Sequence, residues 1–152
     1  MVSWALVPCV AALLATSCRS HDACGDNPTV SHDAGAPVIN DATVVSQLAQ
    51  DSWTVVVGID YDDSDGNLSQ GNAVFYLNGA STGASTLPLA DAFKQSAIPP
   101  GTPSGQLIVP LRFDDTQVKD GASVDLGVQL VDGARMYSNC YGLTLKFEVS
   151  GL

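Results

Sequence analysis

Apolar side chains recur at every second position along four stretches of the chain, the period of a strand with one face buried. In the first, Trp53, Val55, Val57, Ile59 and Tyr61 alternate with Thr54, Gly58 and Asp60. A second runs Leu107, Val109, Leu111, Phe113 against Pro110, Arg112 and Asp114; a third runs Val124, Leu126, Val128, Leu130 against Asp125, Gly127 and Gln129. The fourth is Leu143, Leu145, Phe147 and Val149, with Thr144, Lys146 and Glu148 between them. Val38–Val45 and Asn72–Leu77 add further strands, and Pro110, which lacks an N–H, places its strand at a sheet edge. Leu89–Ala97 is the one helical reading. The Gly-, Ser- and Thr-rich run from Asn78 to Ser104 is otherwise expected to be a long loop.

Short strands separated by turn clusters, without alternating long helices, predict an all-β antiparallel sandwich over residues 37–152. Residues 18–36 are rich in Asp, Ser, Gly and Pro and poor in apolar side chains, so they are expected to form a flexible tether. Both histidines, His21 and His32, lie in it within the echo Ser-His-Asp-Ala. Side chains adjacent on a mobile tether cannot hold the geometry of a catalytic triad.

Residues 2–15 are almost wholly apolar, too short to span a bilayer and followed by small residues, which is the form of an export signal. Leu14-Ala15-Thr16-Ser17-Cys18 resembles the bacterial lipoprotein box. That resemblance implies removal of residues 1–17 and lipid on Cys18, hence a membrane anchor, with Arg19 directing the protein to the outer membrane. An ordinary secretory signal cleaved nearby is the alternative. In an oxidising compartment Cys24 and Cys140 are candidates for a disulfide, with two free thiols as the other outcome. The bridge would close a loop worth about 4 to 5 kcal/mol of chain entropy.

Charge narrows the partners. Sixteen acidic residues face six basic ones, for a net charge of -10, so no positive field gathers phosphates and nucleic acid is excluded. The acids are concentrated in Asp60, Asp62, Asp63 and Asp65, followed by Asn67. Like charges so close repel unless a cation or open water screens them, and calcium prefers such oxygen ligands. An EF-hand is rejected: with Gly66 at its sixth position, the first and twelfth ligand positions fall on Tyr61 and Asn72. Counting strands up and down brings Asp132 and Asn139 to the same end of the sandwich, and sends Asp114, Asp115 and Asp120 to the other. The candidate calcium set is therefore Asp60, Asp62, Asp63, Asp65, Asn67 and Asp132. The competing reading is a tight acidic turn with Gly66 at positive φ and its carboxylates in solvent.

The segment from Asp60 to Leu68, YDDSDGNL after its first Asp, and the segment from Leu130 to Asn139, LVDGARMYSN, resemble the loops of bacterial immunoglobulin-like or fibronectin-III-like modules of surface proteins and lipoproteins. The resemblance implies an immunoglobulin-like sandwich over residues 37–152. Trp53 and Phe75 are expected in its core, and Tyr137 and Tyr141 on an exposed contact surface. No G-x-S-x-G, H-E-x-x-H or P-loop is present, and the predicted domain has no histidine, the commonest general base. The expectation is a non-catalytic, lipid-anchored envelope module that binds or supports a partner. The alternatives are an assembly lipoprotein docked on an envelope protein complex, and a small hydrolase.

Overall fold

The alternating rows settle which side chains meet. The computed structural model describes residues 23–26, 28–49, 53–114 and 118–148. The leader 1–17, Cys18, Asp115 and Val149 lie outside the described residues. The strands are β1 (Val38–Ala49), β2 (Trp53–Asp62), β3 (Asn72–Leu77), β4 (Ala80–Pro88), β5 (Ser104–Phe113), β6 (Ser123–Val131) and β7 (Tyr141–Lys146). They form two sheets, ordered β1-β2-β5 (sheet A) and β4-β3-β6-β7 (sheet B), with every pairing antiparallel.

The inward row of β2, from Trp53 to Tyr61, and that of β5, from Leu107 to Phe113, are buried against Ala73 and Phe75 of β3 and Val124 to Leu130 of β6. Phe147 closes one end, edge-on to both Trp53 and Phe113 with ring centroids 5.3 Å apart. That geometry suits the aromatic quadrupole. Trp53 and Phe75 are thus core residues, as the alternation predicts. Pro110 lies on β5, an edge strand of sheet A, where its missing N–H costs no ladder bond.

The expected long loop is corrected. It opens as a strand, β4, paired to β3 through Leu77↔Ala80, Phe75↔Ser85 and Asn72↔Pro88. Its sequence, ASTGASTLP, has no hydrophobic alternation because an edge strand of small residues need not line the core. The turn before it was nonetheless marked: Asn78 and Gly79 have φ of 51° and 71°, and Asn-Gly is the favoured pair for a two-residue hairpin. A single helix follows, α1 (Leu89–Gln95), which buries Leu89, Ala92 and Phe93 at i, i+3 and i+4. Phe93 packs against Tyr61, ring centroids 5.6 Å apart, so α1 plugs the end of the sandwich where β2 stops.

The segment expected to be a tether also differs. Its described part is pinned along the outer face of sheet B. Ser31 donates its N–H to the Tyr137 carbonyl at 2.9 Å and accepts the Tyr137 N–H on Oγ at 3.0 Å. Cys24 is buried and bonded to Cys140, Cα atoms 6.0 Å apart and 116 residues apart in sequence. Low hydrophobicity forbids independent folding, but it does not prevent backbone groups from docking on a finished sheet. Among the described residues no helix is long and apolar enough to cross a membrane.

Candidate functional site

The inward row of β2 does not stop at Tyr61. One further step of the same alternation places Asp63 inward, with no exposed surface, while Asp62 faces solvent. β6 does the same: after Val128 and Leu130 the next inward position is Asp132, 3% exposed. Because β3 begins where β2 ends and pairs antiparallel with β6 (Asn72↔Val131), both carboxylates lie at one end of the sandwich.

The local backbone holds each of them. Asp63 donates its N–H to the Pro103 carbonyl at 2.7 Å and accepts the Leu68 N–H on Oδ2 at 2.8 Å. Its carbonyl accepts the Gly66 N–H at 3.1 Å, closing the turn in which Gly66 has a φ of 66°. A Cβ on Gly66 would also come within 2.7 Å of the Gly101 carbonyl oxygen. Across the gap, Asp132 Oδ1 accepts the Met136 N–H at 2.8 Å. Asn67 ties the two turns together, its carbonyl accepting the Gly133 N–H at 3.3 Å. The close passage depends on Gly71, where a Cβ would stand 1.8 Å from the Val131 carbonyl oxygen.

This leaves three buried oxygens without a hydrogen-bond partner: Asp63 Oδ1, Asn67 Oδ1 and Asp132 Oδ2. Burial holds the Asp63 carboxyl above the usual carboxylate range, and the negative charges of Asp132 and Asp65 push the same way against the amides of Leu68 and Asn67. Burial, then the Asp63 charge, likewise raises the Tyr61 phenol, which donates to the Thr102 carbonyl at 3.0 Å.

The remaining members of the predicted calcium set do not join this group. Asp60 Oδ1 accepts from Gln106 Nε2 at 2.9 Å and Asp62 Oδ2 from Asn40 Nδ2 at 2.8 Å, the first half-buried and the second exposed, both on the outer face of sheet A. Asp65 is exposed, its carboxylate against Gly35. Asn139, expected near the cluster, instead joins the two sheets. Its Oδ1 accepts the Ile39 N–H at 2.8 Å and its Nδ2 donates to the Ile39 carbonyl at 3.0 Å. Among the described residues, no three of His, Cys, Asp and Glu gather as metal ligands. Of the six residues, Asp63, Asn67 and Asp132 are the ones with a buried side-chain oxygen that has no hydrogen-bond partner. The acidic-turn reading is correct for the Gly66 backbone and wrong for Asp63, which does not face solvent.

Tyr137 and Tyr141 are half-buried rather than an open contact surface, and the Tyr141 hydroxyl donates to Asp41 Oδ1 at 2.7 Å. A polar network beneath the N-terminal segment went unpredicted. Gln129, 1% exposed, donates to the Thr29 and Ser138 carbonyls and accepts from the Tyr76 hydroxyl.

No family model, curated protein or solved structure matches this chain. Asp63 and Asp132 belong to the expected set, and what separates them from Asp60 and Asp62 is already in the sequence: each continues the inward parity of its strand by one step. Nothing local marks Gln129, whose burial depends on a segment a hundred residues away.

Proposed function

We propose that this chain is an exported, lipid-anchored, non-catalytic module of the cell envelope, an immunoglobulin-like sandwich that presents its surface to a partner outside the membrane. The observation that carries the reading is the bond between Cys24 and Cys140. Disulfides persist in oxidising compartments, and this one lies just beyond the lipoprotein-like box ending at Cys18. The three-and-four division of strands, with β5 returning beside β2, is consistent with an immunoglobulin-like or fibronectin-III-like topology. The polar side chains buried at the end of the sandwich bond to backbone amides or have no partner, and His32 is exposed. Neither forms the nucleophile-and-base pair that covalent catalysis requires.

The staple changes what an anchor on Cys18 would do. The chain is held to the sandwich from Cys24 onward, so only six residue steps separate lipid from domain, a reach of about 20 Å. The module sits close against the bilayer, not on a long leash. Expression of the full precursor in a bacterium that lipidates exported proteins tests this reading. Labelled palmitate is expected in the wild type and absent from Cys18→Ala, which leaves the membrane fraction. An unlabelled wild type would refute the anchor.

The assembly reading is favoured by a separate feature. β1 is an edge strand whose Val38, Val44 and Val45 are exposed, and such an edge can accept a strand from a partner. Cross-linking in intact cells that captures one envelope protein through β1, and loses it on Val45→Lys, would support that reading.

A further inference from the structure

We infer that Asp63, Asn67 and Asp132 form a binding site for one divalent cation of the calcium type, clamping the crossover between the two sheets to the end of β6. The inference does not depend on lipid anchoring. Its basis is a mismatch between acceptors and donors. The turn that carries Asp63 and Asn67 docks on the turn after Asp132 through the Asn67 carbonyl and the Gly133 amide, the Asp132 charge acts on Asp63, and Asp63 Oδ1, Asn67 Oδ1 and Asp132 Oδ2 are buried without a hydrogen-bond partner. Asp63 and Asp132 are both more than nine-tenths buried, so bulk water does not relieve them.

A shared proton is the simplest rival. One proton between Asp63 Oδ1 and Asp132 Oδ2 would satisfy two oxygens and remove one charge, as in carboxyl pairs elsewhere. It would leave Asn67 Oδ1, also an acceptor, without a donor. A cation satisfies all three at once and cancels both carboxylate charges. The charges acting on Asp63, those of Asp132 and Asp65, are both negative, and among the described residues no basic side chain offsets them.

The donor set selects the metal. Two carboxylates and an amide oxygen are hard ligands, with no imidazole or thiolate to hold zinc or copper. Calcium accepts amide and carbonyl oxygens in irregular geometry and completes six to eight ligands with backbone carbonyls and water, whereas magnesium demands a near-ideal octahedron. Sites with few charged ligands in extracellular modules bind at about 10⁻⁴ to 10⁻³ M. Both carboxylates have one oxygen fixed by a backbone N–H, Leu68 for Asp63 and Met136 for Asp132. Each carboxylate is therefore held in place before an ion arrives.

The test uses the full chain, purified and stripped with a chelator. Calorimetric titration with calcium chloride should give one ion per chain, with a Kd in the range of about 10⁻⁴ to 10⁻³ M. At about 10 mM calcium the Tm should rise by roughly 5 °C or more. Asp132→Asn and Asp63→Asn should each weaken binding at least tenfold, while the outward-facing pair Asp60→Asn and Asp62→Asn should bind as the wild type does. Three results would overturn the inference: a wild type that binds no calcium up to about 10 mM, tighter binding of magnesium than calcium, or binding lost in the Asp60/Asp62 variant and kept in Asp132→Asn. Should either buried variant fail to fold, the wild-type stoichiometry and the Asp60/Asp62 control still decide the matter.

Discussion

The two central strands, β2 and β6, are built alike on their inward faces and differently on their outward ones. Each carries an apolar row that ends in a carboxylate, Asp63 or Asp132. Outward, β2 presents Asp60 and Asp62 to solvent, each bonded to a neighbouring amide side chain. The outward row of β6 is covered: Gly127 lies beneath the Ala23 carbonyl and Cys24, and Gln129 bonds to the Thr29 carbonyl. The difference teaches that alternation reports which side of a strand a residue occupies, but not whether that side is open. Sheet B is covered on its outer face along β6, by a segment whose composition looks unfolded.

Separating the two faces begins with the staple. Cys24→Ser with Cys140→Ser should release the segment and cost about 4 to 5 kcal/mol by the chain-entropy estimate, measured by urea unfolding. An unchanged midpoint would show that the cover on sheet B contributes nothing.

The next contrast pairs two glycines in equivalent outward positions. A Cβ on Gly127 would stand 2.2 Å from the Ala23 carbonyl oxygen, whereas one on Gly58 would meet first the end of the Val45 side chain at 3.0 Å. Val45, exposed on an edge strand, can move aside by the few tenths of an ångström required, and a stapled backbone cannot. Gly127→Ala should therefore cost about 2 to 3 kcal/mol and Gly58→Ala under about 1 kcal/mol. Equal costs would break the comparison.

Alkaline pH gives a smaller effect. Tyr76, on the covered side, donates to Gln129 Oε1 at 3.1 Å, and burial, then the Tyr137 phenol, raise its pKa. The folded chain thus holds this proton more tightly than the unfolded one. Its contribution is complete below the unfolded phenol pKa of about 10 and is lost as pH rises through the folded value. Tyr76→Phe should flatten the fall of Tm above about pH 10. The smallest effect belongs to the open face, where Asp60→Ala or Asp62→Ala should change stability by no more than about 0.5 kcal/mol in thermal unfolding.

Much of the fold was legible because strand alternation is a local signal. β3 coincides with its expected range, and β1, β2, β5, β6 and β7 appear where apolar rows or runs occur, shifted by a few residues at their ends. β4 was missed because its small residues carry no alternation, although Asn78-Gly79 marked the hairpin that starts it. At the acidic end, clustering in sequence was the wrong guide. Asp60, Asp62, Asp63 and Asp65 are neighbours along the chain, yet alternation sends the first two outward and the third inward. Asp63 meets Asp132, from the other sheet, instead.

What the sequence by itself determined is parity: which residues of each strand face the core, and that Asp63 and Asp132 continue those rows. Side-chain direction along a strand follows from backbone geometry within a few residues, so it can be read without knowing the partners. Only the tertiary structure decided which outer face is covered, that Cys24 reaches Cys140, and that Asn67 sets its amide on the Asp63 carboxylate and its carbonyl on the Gly133 N–H. Those contacts join positions from four residues to more than a hundred residues apart. Their burial depends on how two sheets and an N-terminal segment stack, which no local pattern of hydrophobicity encodes.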